Sequence, residues 1–234
     1  MSKTNKRIAV MNLGGNVGKT TITRHLLAPR MGDCQIISVE SINADEAEAN
    51  AFKGKEFSNV IQAAMAADAC VIDVGASNIE TFLQRMNDYA GAAEMIDLFI
   101  IPVTHGRKQI MDTISTVEML ADAGAEKSKI VIVLNKVEDF DTIESDFSGV
   151  LQFGLDNGIN IGTSLAIGQS DIFGQLRPGE SLSDVAFDTR DFRGESAEAT
   201  DPEAKSELMA HHMRRLLAKN VVTKLDKVFN EVIG

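Results

Sequence analysis

The chain has 234 residues, 44% of them hydrophobic, and a formal net charge of -11 at pH 7, which suits one large or two small domains. This acidity, with a pI near 4.8, argues against strong direct DNA binding by the whole surface. No apolar run reaches the roughly 18 residues that span a bilayer, and the polar N-terminus MSKTNKR predicts no secretory signal. We therefore expect a cytoplasmic protein.

Short β-rich apolar runs alternate with longer helical patterns along most of the chain. The predicted strands span residues 7–13, 35–40, 69–75, 97–103 and 129–137, with a weaker one at 159–167; the predicted helices span 18–30, 56–67, 78–94, 107–123 and 141–157. Several strands are nearly continuous apolar runs, typical of strands covered on both faces. The alternation predicts an α/β fold, a mostly parallel twisted sheet with helices on both faces.

The end of the chain has a different composition. We predict a single domain over residues 1–234, in which the polar, acidic segment 187–202 is a loop or linker and 203–234 forms an amphipathic C-terminal helix. Its apolar residues recur at helical spacing, as Leu217, Val221, Val222, Leu225, Val228, Phe229 and Val232. Packing within the chain or against a second subunit is favoured, and contact with a membrane surface is the alternative.

The stretch VMNLGGNVGKTTITRHLL, residues 10–27, nearly matches the phosphate-binding pattern G-x-x-x-x-G-K-[ST]. Leu13 occupies the position of the first glycine, but the segment follows the first strand and opens the first helix, as a phosphate loop does. Lys19 would meet the β- and γ-phosphates, the Thr20 hydroxyl would ligate Mg²⁺, and Thr21 could bond the α-phosphate. The remaining predicted phosphate-binding residues act through backbone amides: Gly14, Gly15, Asn16, Val17 and Gly18.

Two further groups stand where predicted strands end. In the run CVIDVGAS, Asp73 stands at the end of an apolar strand, at the strand edge where ligands of α/β sheets bind, and would hold Mg²⁺, usually through water. Asn135 and Lys136 follow the run VIVL, and an asparagine there can read a base edge through its amide. The sequence N-K-x-E resembles the N-K-x-D of guanine readers, although Glu138 is one methylene longer than that aspartate.

With these motifs in order, the chain resembles the ParA/MinD group of deviant phosphate-loop ATPases, which are SIMIBI-like P-loop NTPases. It is most similar to the StbB-like plasmid stability proteins of conjugative plasmids. The similarity covers most of residues 7–185 and includes GGNVGKTT, IISVE, VIDVGAS, FIIPV and IVLNKV. The resemblance implies ATP with Mg²⁺ as ligand, GTP being less favoured, because Asn135 falls where the family reads adenine, next to Lys136.

The departures from the family pattern concern assembly and hydrolysis. The family loop reads K-G-G-x-G-K-T-T, and its first lysine reaches the nucleotide of a dimer partner; aligned on Lys19, that position is Gly14. The D-x-D after the second strand, which helps to place the attacking water, corresponds to Glu40 and Ile42. The residues left for catalysis are Lys19, Glu40 and Asp73. The sequence therefore predicts a nucleotide binder with slow ATP hydrolysis.

The resemblance implies a switch protein in plasmid stability, partition or conjugation. ATP and Mg²⁺ would change its affinity for a plasmid-encoded DNA-binding protein, and a homodimer or a peripheral position at the inner membrane fits the same family. Two alternatives stay open. One is a small-molecule phosphoryl-transfer enzyme on the same fold, which needs a second substrate pocket. The other is a nucleotide-binding scaffold without turnover.

Overall fold

A parallel sheet organises the larger part of the chain. The structure, a computed structural model, describes residues 5–40, 51–177 and 179–234. Within those residues the strands are β1 (Arg7–Val10), β2 (Cys34–Val39), β3 (Ala51–Phe52), β4 (Ala69–Val74), β5 (Leu98–Val103), β6 (Ile130–Val137) and β7 (Ala166–Gly168). They lie in the order β3-β2-β4-β1-β5-β6-β7, and all pairings are parallel. The predicted α/β fold with a parallel sheet is confirmed.

The helices follow the strands in the alternation that the sequence predicted. They are α1 (Lys19–Thr21), α2 (Phe57–Ala66), α3 (Ile79–Asp88), α4 (Arg107–Asp122), α5 (Ile143–Asp146), α6 (Ser148–Asn157), α7 (Ile172–Gln175), α8 (Leu182–Ala186), α9 (Phe192–Glu198) and α10 (Pro202–Ile233). After α1 the chain continues as a π-helical segment, Ile22–Leu27, and a 3-10 turn, Ala28–Arg30. The helix predicted at 141–157 is divided at Phe147, whose side chain is buried and whose backbone leaves the helical region.

Both faces of the sheet are covered, because successive strand residues point to opposite faces and both sets are buried. Ala9 and Ile72 belong to one core cluster together with Phe57 of α2 and Phe82 of α3. Ile8, which points the other way in β1, is fully buried as well. This explains why β4 and β5 appear in the sequence as continuous apolar runs rather than as alternating patterns.

The strand boundaries differ from the prediction at two places. β1 ends at Val10 rather than at residue 13, because Asn12 and Leu13 turn away to make the hydrogen bonds of the following loop. The weak strand predicted at 159–167 is reduced to β7, with one isolated parallel bridge from Asn160 to Val131. β3 is too short, at two residues, to be seen in the sequence.

The described contacts divide the chain into two compact units, Met1–Gln169 with Val228–Gly234, and Ser170–Lys227. The single domain over 1–234 therefore stays a prediction. Segment 187–202, predicted as loop or linker, contains the helix α9. The Asp191 side chain accepts a hydrogen bond from the Gly194 amide at its start, and Phe192 is buried. The few apolar residues of this polar segment were too weak a signal for a helix.

The C-terminal helix α10 is close to its predicted bounds of 203–234. The Asp201 side chain accepts a hydrogen bond from the Ala204 amide at its start. Most of the apolar stripe is buried, namely Val221, Val222, Leu225, Val228, Phe229 and Val232, whereas Leu217 is half-buried. Whether the stripe packs within the chain, against a second subunit or on a membrane surface stays a prediction. None of the helices in the described ranges combines the length and apolarity that crossing a membrane requires.

Candidate functional site

The candidate site lies at the carboxyl edge of the sheet, around the central strand. β1 pairs with β4 on one side and with β5 on the other, so that Val10 lies opposite both Asp73 and Ile100. From β1 the chain first builds β2, β3 and β4 on one side and then passes to β5 on the other. Open α/β sheets bind ligands at such a switch point. The segment Gly14–Thr20 occupies this position and is called the loop below.

The loop holds a conformation that its glycine pattern requires. Asn16 and Gly18 both have positive φ, 59° and 90°. A Cβ placed on Gly18 would lie 2.2 Å from Asn135 Nδ2, so neither the backbone nor the space admits a side chain there. A Cβ on Gly15 would meet nothing within 4 Å. The glycine at position 18 is therefore fixed by geometry, whereas Gly15 is exposed and open.

Lys19 begins α1 and folds its side chain back over the loop. Its Nζ donates to the carbonyl oxygens of Asn12 (3.1 Å) and Gly14 (3.0 Å). Burial lowers the pKa of this ammonium, and the neighbouring carboxylates of Asp73 and Glu40 act in the opposite direction. The cation is thus partly desolvated and satisfied by neutral carbonyls, an arrangement in which an anion is a stronger partner.

Asp73 and Thr20 form the second part of the site. The Asp73 side chain is 5% exposed. Burial is the largest influence on this carboxyl and raises its pKa. The negative charge of Glu40 raises the pKa as well, whereas the hydrogen bond from the Thr20 hydroxyl and the positive charge of Lys19 lower it. A carboxylate and a hydroxyl are hard oxygen donors of the kind that Mg²⁺ prefers. Among the described residues no group of three or more His, Cys, Asp or Glu side chains could hold a metal alone. The oxygen donors of Thr20 and Asp73 suit a magnesium ion whose other ligands are water and phosphate.

Glu40 lies beside these residues but is exposed. Its amide donates to the carbonyl of Phe52 (2.9 Å), and a Cβ placed on Gly75, two residues after Asp73, would lie 3.4 Å from Glu40 Cγ. The structure thus brings this predicted catalytic residue to the edge of the site. Ile42, the second position of the lost D-x-D pair, lies outside the described residues.

The end of β6 supports the loop from the other side. Asn135 Nδ2 donates to the Val17 carbonyl (2.8 Å), and Lys136 Nζ donates to the Asn16 carbonyl (2.8 Å). Lys136 itself has a positive φ of 56°, which bends the strand end. Asn135, predicted to read the base, is 4% exposed and its amide nitrogen is engaged by the loop. Any contact with a base would fall to its amide oxygen.

A third support comes from α4 and was missed in the sequence. Asn12 Nδ2 donates to Thr113 Oγ1 (2.7 Å), while Asn12 Oδ1 accepts from the Gly14 amide (2.6 Å). The Leu13 amide donates to Thr116 Oγ1 (3.1 Å). Both threonines are fully buried on α4. The sequence did carry a signal for this support, namely two threonines three residues apart on the apolar face of a predicted helix.

The remaining predicted residues are placed as follows. Val17 is fully buried beneath the loop and presents its carbonyl to Asn135, so it contributes backbone rather than a side chain. Thr21 is half-buried and is the last residue of α1. The structure thus brings together all residues predicted from the loop, β4 and β6.

Comparisons with known proteins give a match in structure alone. Neither the protein-family models nor the curated proteins contain a match to this sequence. Apo McdA of Cyanothece is similar at a TM-score of 0.54 with 15% identity, over 89% of this chain and 98% of that chain. The MinD cell division protein of Aquifex aeolicus is similar at 0.51 with 12% identity, over 90% and 97%. A chain of the MinC:MinD cell division protein complex of Aquifex aeolicus is similar at a TM-score of 0.51 with 13% identity, over 90% of this chain and 96% of that chain. The chain thus has the α/β fold of McdA and MinD.

Proposed function

We propose that this chain is a nucleotide-dependent switch of the ParA/MinD type that binds ATP together with Mg²⁺ at the loop. One observation carries the proposal: the half-buried ammonium of Lys19 lies beside the Thr20–Asp73 pair at the carboxyl edge of β1. A cation for phosphate oxygens next to a hydroxyl and a carboxylate for magnesium is the arrangement that phosphoryl-transfer sites use.

Each residue has a distinct role in this proposal. Lys19 leaves the Asn12 and Gly14 carbonyls to bond the β- and γ-phosphates, and Thr20 and Asp73 hold Mg²⁺, Asp73 through water. Glu40 orients the attacking water. The backbone amides of the loop surround the phosphates, and Asn135 and Lys136 fix its shape through Val17 and Asn16. The resemblance at Asn135 favours adenine, with GTP as the weaker ligand.

Calorimetry with ATP, ADP and GTP, with and without Mg²⁺, tests the binding. We expect ATP to bind, and to bind more tightly with Mg²⁺. The Asp73→Asn variant should lose most of the magnesium effect, because the amide removes the charge that attracts the ion, and should keep some metal-free binding through Lys19. Absence of binding by all three nucleotides to the folded wild-type protein would refute the proposal.

We further propose a role in plasmid stability, partition or conjugation, in which the nucleotide state controls contact with a plasmid-encoded DNA-binding protein. The resemblance to StbB-like proteins supports this role. That one structural neighbour is a MinC:MinD complex supports a protein partner in general. The test measures affinity for the candidate partner with ATP and with ADP. Equal affinities in the two nucleotide states would contradict a switch.

Hydrolysis is proposed to be slow unless a partner assists. Gly14 provides no cation where relatives carry a lysine, and an arginine supplied by a partner can accelerate hydrolysis by about 10³–10⁵. A Cβ at this position would lie 3.1 Å from both Asn12 Oδ1 and Val17 Cγ1, so Gly14→Lys requires a small shift of the loop. Gly14→Ala is the control for that shift.

ATPase rate and sedimentation with ATP are compared for the wild type, Gly14→Ala and Gly14→Lys. We expect low turnover and weak ATP-dependent dimerisation in the wild type, and a gain of both in the lysine variant alone. Rapid turnover by a wild-type protein that stays monomeric would show that the loop needs no lysine at this position.

A further inference from the structure

Helix α4 places an ion pair next to Gly14 that the sequence did not reveal. Lys108 Nζ lies 3.3 Å from Asp112 Oδ2, one helical turn away. The same oxygen, Asp112 Oδ2, would lie 3.4 Å from a Cβ placed on Gly14. The carboxylate therefore stands between the loop and the Lys108 ammonium.

The position of this pair relative to the loop is fixed by buried contacts. Thr116 accepts from the Leu13 amide and Thr113 accepts from Asn12, so the face of α4 that carries residues 108, 112 and 116 is turned to the loop. Lys19 shows which end of the loop lies next to the Lys108–Asp112 pair, because its ammonium donates to the Gly14 carbonyl. Since this ammonium meets the β- and γ-phosphates in such sites, Gly14 lies at their end of the loop.

The electrostatics of the pair depend on what the loop binds. Asp112 is 24% exposed and Lys108 is 79% exposed. A carboxylate beside the terminal phosphates repels them, whereas an exposed pair of this kind holds together weakly. The flexible four-carbon stem of a lysine lets its ammonium exchange one anionic partner for another.

We propose that Lys108 is a second cation of the nucleotide site, which Asp112 holds at the rim and which pairs with the terminal phosphate of a bound nucleoside triphosphate. This proposal rests on the function proposed above and adds a specificity-determining residue to it. Lys108 distinguishes triphosphate from diphosphate. Without nucleotide, Asp112 pairs with the lysine at the rim; when nucleotide binds, this carboxylate repels the phosphate and competes with it for Lys108.

The test compares ATP and ADP affinities of three variants in the presence of Mg²⁺. Lys108→Gln should weaken ATP binding by about fivefold, the effect of one charge pair at the protein–water boundary, and should weaken ADP binding less. Asp112→Asn should strengthen ATP binding. Both effects should shrink at high salt, because exposed charges are screened.

Arg85→Gln is the matched control. Arg85 also forms an exposed ion pair within one helix, with Asp88 at 3.1 Å, but near the C-terminal end of α3, away from the carboxyl edge of the sheet. It should leave both affinities unchanged. If Lys108→Gln matches Arg85→Gln while the wild type binds ATP, this inference is wrong and the proposed function stands. If the wild type binds no nucleotide, both are wrong.

Discussion

Two regions of the molecule carry clusters of charge, and their pKa shifts run in opposite directions. At the loop, burial dominates: it lowers the pKa of Lys19 and raises that of Asp73. In the second unit, partners dominate: the hydrogen bond from Arg214 lowers the pKa of Glu180 to about 2, and the bond to Glu180 raises that of Arg214. The first set of charges is destabilised in the folded chain, and the second set stabilises it.

The second region, here called the arginine cluster, consists of Glu180, Arg190, Phe192, Glu195, Arg214 and Arg215. Arg214 bonds both carboxylate oxygens of Glu180 and the carbonyl of Gln175. Arg190 bonds Glu195, and the guanidinium groups of Arg190 and Arg215 lie 5.3 and 5.1 Å from the Phe192 ring centroid. These charges already have partners of opposite sign or aromatic faces, so the cluster has the features of a structural network.

The comparison suggests a rule for this protein. Charges that folding leaves under-compensated mark the place where a ligand completes the site. Charges that find partners within one unit mark packing. Substitutions in the two regions should therefore separate nucleotide binding from stability.

The largest effect is expected for Lys19→Ala. Losing this charged hydrogen-bond partner should cost about 1.5–3 kcal/mol of nucleotide binding, a ten- to hundredfold loss of affinity. The melting temperature without ligand should barely change, because burial already disfavours the charged amine. Calorimetric titration with ATP and thermal unfolding measure the two quantities.

Lys129→Ala is the control for Lys19→Ala. Lys129 Nζ likewise donates to two backbone carbonyls, those of Glu94 (3.3 Å) and Ile96 (3.2 Å), but just before β6 begins. It should not affect ATP affinity. Unchanged ATP affinity in a folded Lys19→Ala variant would contradict the assignment of the loop and remove one side of the comparison.

Arg214→Gln tests the other side. The arginine side chain is 14% exposed and its bonds to Glu180 and Gln175 tie together three segments of the second unit. We expect a loss of about 1–2 kcal/mol in the free energy of unfolding, which lowers the melting temperature by a few degrees, with ATP affinity unchanged. Arg193→Gln, which removes an exposed arginine of α9, is the control. A melting temperature equal to that of the wild type would show that the cluster does not stabilise the fold.

The sequence predicted the sheet and the loop because both depend on local patterns. Short, continuous apolar runs such as β4 and β5 are typical of buried parallel strands, and a lysine after a glycine-rich turn between strand and helix is a compact signal. The prediction for Asp73 has the same local basis, since the sequence places a carboxylate near the end of a buried strand.

The hydrogen bonds that support the loop could not be predicted from the sequence, because they join segments that lie far apart in it. Asn12 and Thr113 are 101 residues apart, and Lys136 and Asn16 are 120 apart. Their pairing depends on the strand order, which places β5 beside β1 and β6 beside β5, and no local pattern encodes that order. The Lys108–Asp112 pair likewise gains its meaning from the position of α4 against Gly14, which no local pattern encodes.

The smallest expected effect is the pH dependence of the Glu180 contribution. The ordinary pKa of this carboxyl is 4.5 and the folded value is about 2, mainly because of the Arg214 hydrogen bond. A carboxyl with a depressed folded pKa stabilises fully above its unfolded pKa, and this stabilisation is lost as the pH falls towards the folded value. The difference in stability between the wild type and Glu180→Gln should be at most about 1 kcal/mol at pH 7, since the pair is partly exposed.

Urea unfolding at pH 7, 5 and 3.5 should show this difference constant down to about pH 5 and shrinking below it. For the control Glu198→Gln, at the end of α9, the difference in stability from the wild type should not shrink as the pH falls. A gap of the same size at pH 3.5 and pH 7 would mean that the carboxylate charge is not what stabilises the cluster, and the contrast with the loop would then rest on Lys19 and Asp73 alone.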